Sequence, residues 1–220
     1  MNRPAVLARR TALVVVFAVA IGVVVSGCGF LSNDPPTQAC STASEGTAIA
    51  DQVNGFALCL PPNWRDLAPG DPGWVAVYGK PDQSVEQDVA GGIIQHFAVP
   101  LEPRDADEAV NLAVYVRALP AGTTVQMLGD QYEATLTKLE MGVLLREEIQ
   151  IPAGSAVRIT AGRHRGPVAG TYVDRLVAYT LAHGNRSYHF VFASNDQTGD
   201  DYAPVFESIA RSIRFPDATP

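Results

Sequence analysis

The sequence predicts an α+β domain built on an antiparallel sheet with helices layered over it. Three observations carry that prediction. The run TYVDRLVAYTLAHGNRSYHFVFAS, Thr171 to Ser194, holds two strand-like segments around a Gly184-Asn185 turn, which suits a primed hairpin. Both faces of this hairpin carry apolar residues, which places it inside a sheet covered on both sides. Two stretches with helical character, Asp105 to Leu119 and Asp200 to Phe215, are available to cover it.

The chain opens on MNRPAVLARR, whose only charges are Arg3, Arg9 and Arg10, and no acidic residue precedes Asp34. This is the positive end of an export signal. The apolar run from Ala12 to Val25 reaches about 21 Å as a helix, short of the roughly 30 Å hydrocarbon core. Val25-Ser26-Gly27-Cys28 then resembles the lipobox of bacterial lipoproteins, in which a branched and two small residues precede the modified cysteine. On that reading Cys28 takes a diacylglyceryl group and becomes the mature N-terminus, exported through the Sec route and held at the outer face of the cytoplasmic membrane. A second acyl chain makes such attachment durable. Gly29, Phe30 and Leu31 would stretch the apolar run toward a span, but a span gains nothing from Ser-Gly-Cys-Gly at its outer end.

Gly29 to Thr47 follows, rich in Ser, Thr, Pro and Asn with little to bury, and reads as a tether. The chain therefore divides into a leader over 1–27, a tether over 28–48, one domain over 49–216 and a frayed tail over 217–220. Without the three leader arginines the mature chain holds 13 basic and 23 acidic residues, a formal charge of −10. Such a surface repels phosphate backbones and anionic headgroups, so no nucleic-acid partner is expected and membrane contact rests on the lipid at Cys28. Outside the cytoplasm Cys40 and Cys59 read as a disulfide, against the alternative of two free thiols with Cys59 in the core.

Within the domain, strands are expected at Gly55 to Leu60, Trp74 to Tyr78 and Gly92 to Val99. DADEAVNLAVYVRAL is then read as a helix from Asp105, with Glu108 three residues on as a capping-box partner, to Leu119 before Pro120. Strands Gly142 to Ile151 and Ala156 to Gly162 follow, joined by a loop of Ala153, Gly154 and Ser155 that sets Ile151 opposite Val157 and Ile149 opposite Ile159. In the hairpin, Leu181, Tyr179 and Val177 face Tyr188, Phe190 and Phe192, while Thr180, Ala178 and Leu176 face His189, Val191 and Ala193. The last helix has Asp200 or Asp201 as N-cap, Pro204 in its first turn, and a stripe of Tyr202, Val205, Phe206, Ile209 and Ile213.

FALCLPPNWRDL, IPAGSAVRI and SYHFVFASNDQTGDDYAPVFESIARSIRF together resemble the PsbP-like fold family, which includes the Mog-type Ran-binding proteins. The likeness covers Val53 to Phe215 and rests on turn and packing positions: Trp64, Gly154, Tyr202, Phe206, Ile209 and Phe215. It implies α/β/α layers and action by binding other proteins, and it brings no catalytic residues to carry over.

The spacings GxSxG, HExxH and GxxxxGK[ST] are absent, as is any Cys/His ligand pattern. No enzyme, metal or cofactor is expected. His183 and His189 point to opposite faces of the hairpin and cannot share a metal or a proton, so His189 is a sheet residue and His183 turn surface. Glu147 and Glu148 likewise face opposite ways, and Arg163-His164-Arg165 reads as a solvated positive spot. The sequence leaves two readings open, an envelope interaction module with a protein partner, and a carrier of a small apolar ligand between sheet and helix.

Overall fold

The computed structural model describes residues 39–40, 46–74, 83–101, 110–164, 173–195 and 198–215. Strands β1 (Thr47–Asp51) and β2 (Phe56–Leu60) form a separate hairpin. The main sheet takes β3 (Trp64–Asp66), β4 (His96–Pro100), β5 (Asn111–Ala118), β6 (Gly142–Ile151), β7 (Gly154–His164), β8 (Val173–His183) and β9 (Arg186–Asn195). Its order is β3-β4-β5-β9-β8-β7-β6, antiparallel throughout. Helices α1 (Gln83–Ala90), α2 (Val125–Lys138) and α3 (Gly199–Ser212) complete the described elements. The antiparallel α+β class expected from the sequence is the class found.

Two cores separate the layers. Phe56, Leu58, Trp64, Phe190, Phe192 and Phe206 fill the space between one face of the sheet and the β1–β2 hairpin with α3. Tyr132, Leu136, Val157, Ile159, Ala178 and Val191 fill the opposite side, beneath α1 and α2. The β8–β9 pairing matches the register read from the sequence at all six pairs, with Tyr179 opposite Phe190 and Thr180 opposite His189. The α3 stripe is also as expected, with Tyr202, Phe206, Ile209 and Ile213 buried and Val205 packed against them. The cap is not: Thr198 precedes the helix, and Asp200 and Asp201 sit in its first turn, where carboxylates oppose the helix dipole favourably.

The largest correction concerns residues 111–118. They form β5, a strand between β4 and β9, and not the end of a helix. Leu112 to Tyr115 are buried consecutively, and an apolar run buried on both faces has no period by which a strand differs from a helix. Asp105 and Glu108, the expected capping pair, lie outside the described residues. The helix that covers this face is α2, capped by the Thr124 hydroxyl, which accepts from Met127 N–H at 3.2 Å. Its buried residues Leu128, Tyr132 and Leu136 recur every fourth position.

Three further differences have local causes. Trp74 is helical and stacks on Phe97 at 5.1 Å, while the rest of the strand expected through Tyr78 lies outside the described residues. Gly91 and Gly92 close α1, with the N–H groups of Ile93 and Ile94 donating to Asp88, so β4 begins only at His96. The β6–β7 connection is a two-residue turn that pairs Ile151 with Gly154 and Ile149 with Ala156. Polar residues stand opposite apolar ones there without penalty because β6 is an edge strand, whose long side chains reach past the core to water or to α2.

Cys40 and Cys59 are joined by a disulfide. The bridge ties the segment preceding β1 to β2, and Cys59 N–H also donates to the Ser212 hydroxyl at 2.8 Å. Arg214 exchanges two 2.9 Å backbone bonds with Ala57, which fastens the end of the domain to the same strand.

Candidate functional site

Two features stand out from the packed interior, an ion cluster among strand ends and an open sheet edge. The cluster is built where β1, β3 and β4 meet. The turn after β1 is shaped by Asp51, whose carboxylate accepts from Asn54 N–H at 2.9 Å and from the Asn54 side-chain amide at 2.6 Å. Asp66 ends β3 and accepts from the Phe97 N–H at 3.0 Å. Between these carboxylates lies His96, with Nδ1 2.7 Å from Asp66 Oδ2 and Nε2 3.3 Å from Asp51 Oδ2.

Both ring nitrogens therefore face acceptors, and only the doubly protonated imidazolium donates to both. Burial works against charge on this ring, but the bonds to Asp51 and Asp66 prevail and push its pKa up to about 9. Burial likewise acts to raise Asp51, and its bonds to His96 and Asn54 overcome that and hold it at about 2. A histidine with both nitrogens committed has none to take a proton from a substrate or to ligate a metal, so the cluster is a clasp and not a catalytic base. No sequence pattern announces it, because its members are 15 and 30 residues apart along the chain and meet only through strand packing.

The second feature is β6. It pairs with β7 on one side, and among the described residues its other side meets no strand. Val143 and Leu145 flank a register shift, and Leu144 between them is 68% exposed. On the α2 side, Arg146 donates to Asp130 at 2.6 Å and to Glu133 at 2.9 Å, and Glu148 accepts from Gln126 at 2.9 Å. The bond to Asp130 leads in holding the Arg146 pKa above its ordinary value. On the other face Glu147 pairs with Arg158, and Ile149 packs toward the core.

Cys28 lies outside the described residues. His183 and His189 do occupy opposite faces: His189 is buried under α2, stacked on Tyr132 at 5.7 Å, and 3.2 Å from the Thr180 hydroxyl. Burial first, and then the charge of Arg117, lowers its pKa to about 4. His183 is not turn surface; it is half-buried and stacks on Phe215 at 4.2 Å. Glu147 and Glu148 point apart as expected. Of the positive spot, Arg163 ends up on β7 opposite Asp174, and Arg165 lies outside the described residues. Among the described residues no group of three His, Cys, Asp or Glu is placed to hold a metal ion. No helix among them is long and apolar enough to cross a membrane.

No protein-family model matches this chain, and no curated protein matches it. Similar solved structures include the cyanobacterial PsbP of Synechocystis sp. PCC 6803, with 13% identity, a TM-score of 0.49, and coverage of 86% of this chain and 98% of that one. LpqN of Mycobacterium tuberculosis, described as involved in cell envelope biogenesis, is 10% identical with a TM-score of 0.46, covering 78% and 86%. The Saccharomyces cerevisiae Ran-binding protein Mog1p is 10% identical with a TM-score of 0.47, covering 79% and 96%.

Proposed function

We propose that this chain is a lipid-anchored extracytoplasmic module that binds another envelope protein along the outer edge of β6 and performs no chemistry of its own. The observation that carries this reading is the edge itself: a ten-residue strand with one side unpaired among the described residues and with Leu144 and Leu145 exposed. Backbone groups on such an edge form a ladder with an added strand, and alternate side chains select it. The export leader and Cys28 supply the anchor, and the tether supplies reach.

A carrier would need apolar space between sheet and helix. That space is filled on the α3 side, where Phe206 stacks on Phe192 at 4.7 Å and packs edge-on to Trp64. A cleft of about 480 Å³ lies beside α3, lined by Ala39, Pro204, Glu207, Ser208, Arg211 and Arg214 among others, and is wide open to solvent. It is not the enclosed apolar site that a lipophilic ligand requires.

Native mass spectrometry on protein extracted gently from its own membranes tests the reading directly. The expected species is a diacylated chain beginning at Cys28 with a stoichiometric protein partner, and a photo-reactive residue at position 144 captures that partner whereas one at 208 does not. A chain carrying only a small apolar molecule would make it a carrier. Replacing Cys28 with Ser should leave unprocessed precursor or released protein; processed, membrane-held protein after that change would defeat the anchor.

A further inference from the structure

The two faces of β6 differ in chemistry, and the difference selects what can pair there. On the α2 side, Arg146 donates to Asp130 and Glu133, and Glu148, two residues on along the same face, accepts from Gln126. Two carboxylate charges are left over on that rim, and Lys138 and Glu140 farther along offset each other. On the opposite face Glu147 is neutralised by Arg158, leaving Leu145 and Ile149 to meet a neighbour. Directly opposite residues in an antiparallel pair share a face, so an added strand experiences these two surfaces at alternate positions.

We infer that the edge of β6 takes an extended segment in which basic and apolar residues alternate, the basic ones lying over Glu148, Asp130 and Glu133 and the apolar ones over Leu145 and Ile149. This rests on the reading of β6 as the docking edge and specifies its occupant. A second copy of the chain fits poorly. A two-fold axis perpendicular to the sheet brings residues of like parity together, so a register centred on Arg146 opposes Arg146 to itself, and one centred on Glu147 sets Arg146 opposite Glu148 but keeps both α2 rims on the same side. Either arrangement also places two acidic rims side by side. Like charges directly opposite are destabilising, and charges and irregularities on edge strands are the usual guard against self-pairing. The register shift at Leu144 adds to that guard.

The test uses the mature chain with two capped eight-residue peptides, one alternating Lys with Val and one alternating Glu with Val. Amide hydrogen exchange of β6 and peptide affinity are followed at about 50 and 500 mM salt, where screening lengths differ severalfold. The Lys/Val peptide should protect β6 amides, bind at least about tenfold more tightly than the Glu/Val peptide, and weaken at high salt. In the E148K variant that preference should shrink or invert, while E207K on α3 leaves it unchanged. Equal protection by both peptides would overturn the charge assignment and leave β6 as a docking edge. Protection by neither would overturn both. Protection of β6 that grows with protein concentration and needs no peptide would give the edge to a second copy and sink the proposal.

Discussion

His96 Nδ1 stands 2.7 Å from Asp66 Oδ2 and joins the start of β4 to the end of β3, while the other ring nitrogen reaches across to Asp51 on the β1–β2 hairpin. One protonated side chain thus links the main sheet to the small hairpin that covers it. Phe56 meets the same ring edge-on at 5.7 Å, so the clasp is set against the core and not left in open water.

The folded-state pKa of His96, about 9, is above the ordinary histidine value of 6.5. Its contribution to stability is therefore complete below pH 6.5 and is lost as pH rises through 9. Allowing for the partial exposure of Asp66, the loss across this window should be about 2 kcal/mol. Urea midpoints measured from pH 6 to 10 should fall in the native chain and stay flatter in H96Q. A native curve that is level to pH 10 would remove the clasp from the account of stability.

His189 acts in the opposite direction. Its folded pKa of about 4 is below the ordinary value, so the unfolded chain takes up the proton first as pH falls. Stability should drop between pH 6.5 and 4 by up to about 3 kcal/mol, and the His189 ring should stay neutral by NMR down to about pH 5. With His96 weakening the fold on the alkaline side, these two histidines place their joint optimum near pH 6.5. A His189 ring that titrates near 6.5 in the folded chain would contradict its burial under Tyr132.

Gly129 lies on the buried side of α2, and a Cβ there would stand 2.9 Å from Val157 Cγ1 and 3.1 Å from Arg146 Nη2. Alanine ordinarily gains about 1 kcal/mol over glycine in a helix. Here the arginine end can move but the β-branched, buried Val157 cannot, and overpacking of this kind costs about 1–3 kcal/mol. G129A should therefore lower the thermal midpoint, while G142A, whose Cβ would meet nothing closer than 3.8 Å, should not. A stabilised G129A would show that α2 is free to lift from the sheet.

The disulfide closes a loop between residues 19 apart. In the chain-entropy model, removing such a constraint from the unfolded state costs about 3 kcal/mol. The C40S/C59S variant should unfold at correspondingly lower urea concentration and keep its far-UV circular dichroism, because the Ala57–Arg214 bonds still hold β2. Unchanged stability would mean that the bridge constrains nothing the fold does not already hold.

Much of the architecture was legible in the residues themselves. The β8–β9 register followed from a Gly-Asn turn and two alternating runs, because a two-residue turn allows no slip without turning every side chain to the wrong face. The α3 stripe followed from its period, and the pairing of Cys40 with Cys59 from the two cysteines that remain once Cys28 is read as the lipidated one. These are local or countable signals. Leu112 to Tyr115 offer no period, since a strand covered on both faces is apolar at every position, so the residues read as a helix there and give no sign of α2.

The candidate site was out of reach for a different reason. Asp51, Asp66 and His96 are ordinary residues in ordinary strand ends, and only the docking of the β1–β2 hairpin on the sheet brings two carboxylates to one imidazole. Whether β6 lies at the edge or within the sheet is likewise a matter of strand order, which its alternating pattern does not encode. Local periodicity and turn chemistry determined the elements; long-range packing decided which charges meet and which strand is left open.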